Sequence, residues 1–426
     1  MTTLSNPHVK RNSNLRSLQA LGAQLLVLAL LEACGGGDKK VNTPANAGGA
    51  DPQAAVAAVP GITNAPPEAA QLEGGARDAY ARGWAAWSAG DLAGAKMQFA
   101  DSVSKDGRSP ATHYALASVL DRLGEKVSAQ QSYRTSYTVK PDFDLGMCGY
   151  AFSLARSGHV GEADGFLSER RQKNPNSARI ATCLAEVKSM QNDSATAQQL
   201  AQAALTVDPD FKEAMVVVAR DRYRAHQLEL AKYALEAILE GFGDKSPARD
   251  VGNPEALLIR GLIAREQGSR MGAMSDFEKA LQKRPDFVEA LIQVGSMKLE
   301  AGNAGEAMPL LEKAVRFDPN NALAHVNLGD AYRLLGRPQE AKREFDTSLN
   351  LDSTLAIAHY DLGLLYLFTP NFPGATPDSQ VSSAIKEFET YKSMKGGKGV
   401  AGDDIEELLS RAKAKQNELK QAGAAK

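Results

Sequence analysis

Cysteine is scarce in this chain of 426 residues: there are three, at positions 34, 148 and 183. Three cysteines spaced so widely make neither a disulfide framework nor a zinc site. Aromatic residues are few, 6% of the total, with only two tryptophans, Trp84 and Trp87. Charge of either sign is hardly in excess, 49 Lys plus Arg against 51 Asp plus Glu. No global basic field therefore points to nucleic acid. The apolar run near the start, residues 18–31, has 14 residues, short of the ~20 that span a bilayer core. No nucleophile elbow, phosphate loop or metal-binding helix motif occurs. The expectation is a protein without catalytic residues, metal, cofactor or small-molecule substrate.

What the start does contain is ordered. Residues 1–17 carry Lys10, Arg11 and Arg16 and no acid, and the apolar run follows. A positive head, a short apolar middle and a small-residue exit describe a secretory signal. The exit, Leu31-Glu32-Ala33-Cys34, resembles the bacterial lipobox, with Glu32 a departure where a small uncharged residue is usual. That resemblance implies a signal peptide over 1–33 and a lipid on Cys34. Gly35, in place of an Asp, implies sorting to the outer membrane, on its periplasmic face. Several acyl chains would give lasting anchorage, which one chain does not. Residues 34–75 are rich in Gly, Pro, Ala and Asn without an apolar period, and read as a disordered tether. Such a tether of ~40 residues has a mean span of roughly 35 Å.

The rest of the chain is organised by one period. Alanines stand at 95, 129, 163, 197 and 231, then at 273, 307 and 341, each 34 residues from the last within its series. Glycine or alanine recurs twelve residues before each, from Gly83 to Gly329. Prolines at 141, 175 and 209, then 285 and 319, echo the spacing, and glycines such as Gly124 and Gly336 mark turns between the small residues. A unit of this length with these marks resembles the tetratricopeptide repeat. Residues 321–352 match it best, with Leu328, Gly329, Tyr332, Gly336, Ala341 and Phe345 at the signature places.

The resemblance implies an all-α solenoid of nine helix-turn-helix units, beginning at 76, 110, 144, 178, 212, 254, 288, 322 and 356. Units one to five fill 76–245 and units six to nine fill 254–398. An inserted loop at 246–253 separates them, and a second insertion lies near 369–380. Residues 399–426 hold a last helix whose stripe of Ile405, Leu408, Leu409 and Ala412 should cap the stack.

Histidines 113, 325 and 359 share one place in helix A and are expected to pack rather than ligate. Cys148 and Cys183 lie one unit apart at unequal repeat places and are expected as buried free thiols, although an oxidising compartment would permit a bond. The groove places of the repeat family put Tyr80, Trp84 and Trp87 on one patch of unit one, a hot-spot composition. Further along they give Arg122, Arg156, Arg179, Arg220, Tyr223 and Arg224, a basic band over units two to five. Ile292, Leu299, Leu323, Val326, Tyr360, Leu364 and Phe368 follow. A partner with an acidic stretch and apolar anchors would fit.

Lipobox, tether, nine units, the insertion "YLFTPNFPGATPDSQ" and the tail "GVAGDDIEELLSRAKAKQNEL" together resemble the tetratricopeptide lipoproteins of the adventurous gliding apparatus of myxobacteria. That resemblance implies outer-membrane barrel and periplasmic partners in a motility machine. A pilotin-like lipoprotein for pilus secretins and an adaptor for peptidoglycan hydrolases are the alternatives.

Overall fold

The computed structural model describes residues 66–243, 246–396 and 404–424. The signal segment, Cys34 and most of the tether lie outside the described residues. Nineteen α-helices follow one 3₁₀ turn, Pro67–Gln71. The first units pair α1 (Gly74–Ser88) with α2 (Leu92–Lys105), α3 (Pro110–Arg122) with α4 (Lys126–Val139), and α5 (Asp144–Arg156) with α6 (Val160–Lys173). Next come α7 (Ala178–Met190) with α8 (Ser194–Val207) and α9 (Lys212–Arg224) with α10 (Leu228–Leu239). Beyond the first insertion stand α11 (Pro254–Glu266) with α12 (Arg270–Lys283) and α13 (Val288–Glu300) with α14 (Ala304–Phe317). The last pairs are α15 (Ala322–Leu334) with α16 (Pro338–Leu351) and α17 (Ala356–Phe368) with α18 (Pro377–Met394), closed by α19 (Ile405–Ala424).

Each pair is held by one close approach. In most pairs the small residue of helix A faces a large residue of helix B four places after the repeat alanine; in unit four that place is Ala201, packed with Ala185. A methyl group on Gly329 would sit 2.6 Å from the Phe345 ring, so any larger side chain there displaces the ring. Phe99, Phe277, Phe345 and Phe388 are the largest fully buried side chains, all at this one place. The turn that follows helix A takes a left-handed residue, Gly336 at φ 71°, where a Cβ would strain the backbone. Asn253 and Asn321 cap their helices by accepting from the backbone N–H three residues on, at 2.9 and 3.1 Å.

Both insertions are stapled down. Around the first, Asp250 donates its backbone N–H to Ile238 at 2.8 Å, and its carboxylate takes Lys212 at 2.9 Å. In the second, Phe372 enters the core beside Tyr366, with ring centroids 5.1 Å apart. The buried Gln380 side chain accepts from Phe372 N–H and donates to the carbonyls of Tyr366 and Thr369. At the far end Ile405, Leu408, Leu409 and Ala412 are buried against Leu364, Leu367 and Phe388, so the terminal helix covers the face that a tenth unit would have taken.

Cys148 and Cys183 are joined in a disulfide, with Cα atoms 5.8 Å apart, where free thiols were expected. Helix axes one layer apart lie 8–10 Å from each other, but these two side chains point at one another across α5 and α7, and that brings the Cα atoms within bonding range. Changing both to Ser is expected to cost ~3–4 kcal/mol by loss of a loop closure of this length. The check is a lower melting temperature than that of the oxidised parent, with no further drop when reductant is added to the variant.

Candidate functional site

The expected aromatic patch of unit one is not an open surface. Tyr80, Trp84 and Trp87 are 2%, 7% and 6% exposed. They form one cluster with Phe99, Leu92 and the residues just before the first helix, Ala69 and Leu72. Trp84 meets Trp87 and Phe99 with ring centroids 5.6 and 5.4 Å apart. The physical reason is that a solenoid's first unit has no neighbour on one side, and apolar rings there must be covered. The segment at 67–72 supplies part of the cover. It is pinned by Glu68, whose carboxylate takes the Lys140 ammonium at 2.7 Å. Burial pushes the Tyr80 hydroxyl well above the usual tyrosine range.

Nor is the arginine band a free basic surface, because each guanidinium meets an acid. Arg122 faces Asp318 at 3.4 Å, and Arg156 pairs with Asp121, which also accepts from Ser153. Arg179 faces Glu213 at 3.5 Å and stacks over Phe211. Arg220 lies between Glu186 at 2.9 Å and Glu255 at 2.7 Å. Arg224 reaches Glu186 at 3.2 Å and donates to Ser189 Oγ. Burial alone would depress the Arg220 guanidinium, but the two carboxylates hold it above its ordinary value. Tyr223 is half-buried and packs on the core of units five and six. These residues line one wall as a ladder of neutral rungs. Arg156, Arg179 and Arg220 meet acids one repeat away, 34 or 35 residues, where a groove place of one A helix stacks on that of the next; Arg224 reaches Glu186 across 38 residues, and Arg122 meets Asp318 five units on.

The apolar stretch expected beyond the band divides. Ile292, Leu299, Val326 and Leu364 are core residues. Tyr360 is half-buried and donates its hydroxyl to Asp404 at 2.7 Å. Leu323 and Phe368 are exposed, at 50% and 38%, and Arg411 stacks 4.8 Å over the Phe368 ring.

The three histidines of helix A each find a local acceptor. His113 Nε2 contacts the Gly107 carbonyl at 3.0 Å, and His359 Nδ1 contacts Glu387 at 2.6 Å. His325 is flanked on both nitrogens, by Glu344 at 2.7 Å and by the Pro319 carbonyl at 3.0 Å. Two acceptors are satisfied together only by the doubly protonated ring. Burial alone would lower the His325 pKa, but Glu344 and the Pro319 carbonyl raise it above its ordinary value of 6.5. A raised folded value means that stability is fully present below the unfolded pKa and is lost as pH climbs through the folded one. The melting temperature should therefore fall less between about pH 5.5 and 8.5 in His325→Gln than in the parent. Equal slopes would show that the ring does not titrate with folding.

Among the described residues no group of three or more His, Cys, Asp or Glu could hold a metal ion, and no helix is long and apolar enough to cross a membrane. Chemistry does not converge at any point along this wall. What it offers is a long surface with matched charges and a few exposed apolar side chains.

Known proteins resemble this geometry. Residues 260–322 and 298–360 match two family models, each described as tetratricopeptide repeat. No curated protein matches the chain. Among solved structures, the APC/C hetero-tetramer Cut9-Hcn1 is similar with a TM-score of 0.56 and 17% identity, over 78% of this chain and 62% of that one. Yeast Tom70 is similar with a TM-score of 0.46 and 14% identity, over 68% of this chain and 63% of that one. The chain thus spans less than two thirds of the length of either. At such identities the likeness to Cut9-Hcn1 is one of fold, and it agrees with the stack of helix pairs built above. Residues 260–360 carry tetratricopeptide repeats, and the described residues as a whole form an α-solenoid of that kind.

Proposed function

We propose that the protein is a non-enzymatic interaction scaffold, held by a lipid on Cys34 at the periplasmic face of the outer membrane. There it serves as a component of an envelope-spanning gliding machinery. Tetratricopeptide proteins generally act as protein-interaction scaffolds, and the observation that carries the scaffold reading is one continuous stack whose wall gathers no reactive site. The station rests on Leu31-Glu32-Ala33-Cys34 and Gly35, and the Cys148–Cys183 bond suits an oxidising compartment. Partners are outer-membrane barrel and periplasmic proteins, taken along the concave wall by the exposed Leu323 and Phe368 and the outward half of the Arg156 and Arg224 side chains. Matched charges on that wall favour a partner that exchanges ion pairs rather than one of uniform charge.

A deletion strain tests the machine. The expected result is loss of single-cell gliding with pili and secretin multimers intact. Intact gliding with lost secretin multimers, or with altered wall composition, would contradict the assignment.

A further inference from the structure

The stack curves back on itself, and its early units touch its late ones. Trp87 in unit one donates its indole N–H to Asp286 Oδ2 at 2.8 Å, in the turn that ends unit six. One repeat later, Arg122 faces Asp318 at 3.4 Å in the turn that ends unit seven. Asn320 in that same turn donates to the Arg122 carbonyl at 3.0 Å. The turns between the helices of units one and two carry Gly90 and Gly124, and both are close to the other side. A methyl group on Gly90 would meet the Arg316 side chain at 3.4 Å, and one on Gly124 would meet Asn320 at 2.9 Å. The two sets of contacts are one repeat apart on both strands of the seam.

We infer that this seam is a releasable clasp: it closes the solenoid between units one and two and units six and seven, and must open before the concave wall is reached from the side. The consequence for partners rests on the groove reading above; the clasp itself does not. Its polar contacts are few, and the apolar side chain it helps to cover is Trp87, 6% exposed. Arg122 and Asp318 are part-exposed, and pairs of that kind contribute little and are weakened by salt. Asp286 keeps one carboxylate oxygen, Oδ1, buried without a hydrogen-bond partner, so opening this rung lets water reach that oxygen and offsets part of the lost Trp87 bond. Adjacent units share a continuous core, so a small change of curvature at each interface accumulates over the five interfaces between unit one and unit six. A closed clasp admits an extended chain along the axis. An open one admits a folded element from the side.

The test uses the full chain with Cys34→Ala, so that only introduced thiols take a nitroxide label. Met97 in unit one and Met271 in unit six are 66% and 89% exposed, and Met97→Cys with Met271→Cys reports the separation across the seam. The expected result is a longer and broader distance distribution in high salt. The same change is expected at low salt when Asp286→Ala and Asp318→Arg are added, with helical content by circular dichroism unchanged. An unchanged distribution in high salt overturns the clasp, and this arm needs no clasp variant to fold. An unchanged distribution in a folded variant overturns it equally. No partner enters the measurement, so its failure is distinct from failure of the groove reading, which a partner capture would show.

Discussion

Cys34→Ala is expected to move the protein from the membrane fraction to the soluble periplasmic fraction, the largest change that any single substitution in this chain should cause. Transfer of acyl chains to the bilayer is favourable by ~0.8 kcal/mol per methylene, so several chains on one cysteine hold a protein for good while one chain holds it marginally. Among the described residues no helix is long and apolar enough to cross a membrane. The variant should fold as the parent does, because its site lies more than thirty residues before the first described helix residue, Pro67. Fractionation with the mass of the N-terminal peptide is the check. A membrane-bound variant, or a parent peptide without added lipid mass, would contradict the anchor.

Phe345→Ala is expected to have the largest effect on stability, a loss of ~3–5 kcal/mol. Phe345 is fully buried against Gly329, in one cluster with Leu328 and Ala341 of its own unit and with Leu311 and Leu365 from the units on either side. Truncating it empties the space between α15 and α16 and weakens both neighbouring interfaces, because each unit is stabilised by the next. Unfolding should start in units seven to nine and lose cooperativity with the rest. Hydrogen exchange would show protection falling first at α13 to α18. A uniform loss along the whole chain, or a variant as stable as the parent, would contradict a stack of coupled units.

The periodic part of the fold was legible because one length, 34 residues, fixes several positions at once. Gly329, Ala341 and Phe345 mark a single contact, and the same contact recurs at Gly83 with Phe99 and at Gly261 with Phe277. The terminal stripe from Ile405 to Ala412 was legible for the same reason, as a helical face with nothing else to cover. The tryptophans were not. Their repeat places assign them to the groove, but the assignment presumes a neighbouring unit, and unit one has only the short segment at 67–72 and the returning turn that holds Asp286. A six-residue cover with no period leaves no pattern to read.

Charge pairing along the wall was missed although its signal is present. Asp121 precedes Arg156 by 35 residues and Glu186 precedes Arg220 by 34, the spacing at which stacked helices set side chains together. The two cysteines obey the same rule at a separation of 35. Acids one repeat from Arg156, Arg179 and Arg220 carry that signal, whereas the partners of Arg122 and Arg224 lie off the period. The seam between units one and two and units six and seven has no such mark, because superhelical curvature sums small rotations that no single unit reveals.

The most direct measurement for the account is affinity capture of the full chain from crosslinked envelope fractions, compared with a variant carrying Leu323→Asp and Phe368→Asp. Both side chains are exposed, and both changes leave the buried ring contacts in place. A reproducible set of envelope proteins is expected with the parent, and loss of that set with the variant. The same set from both, or none from the acylated parent, would contradict a scaffold that binds along this wall.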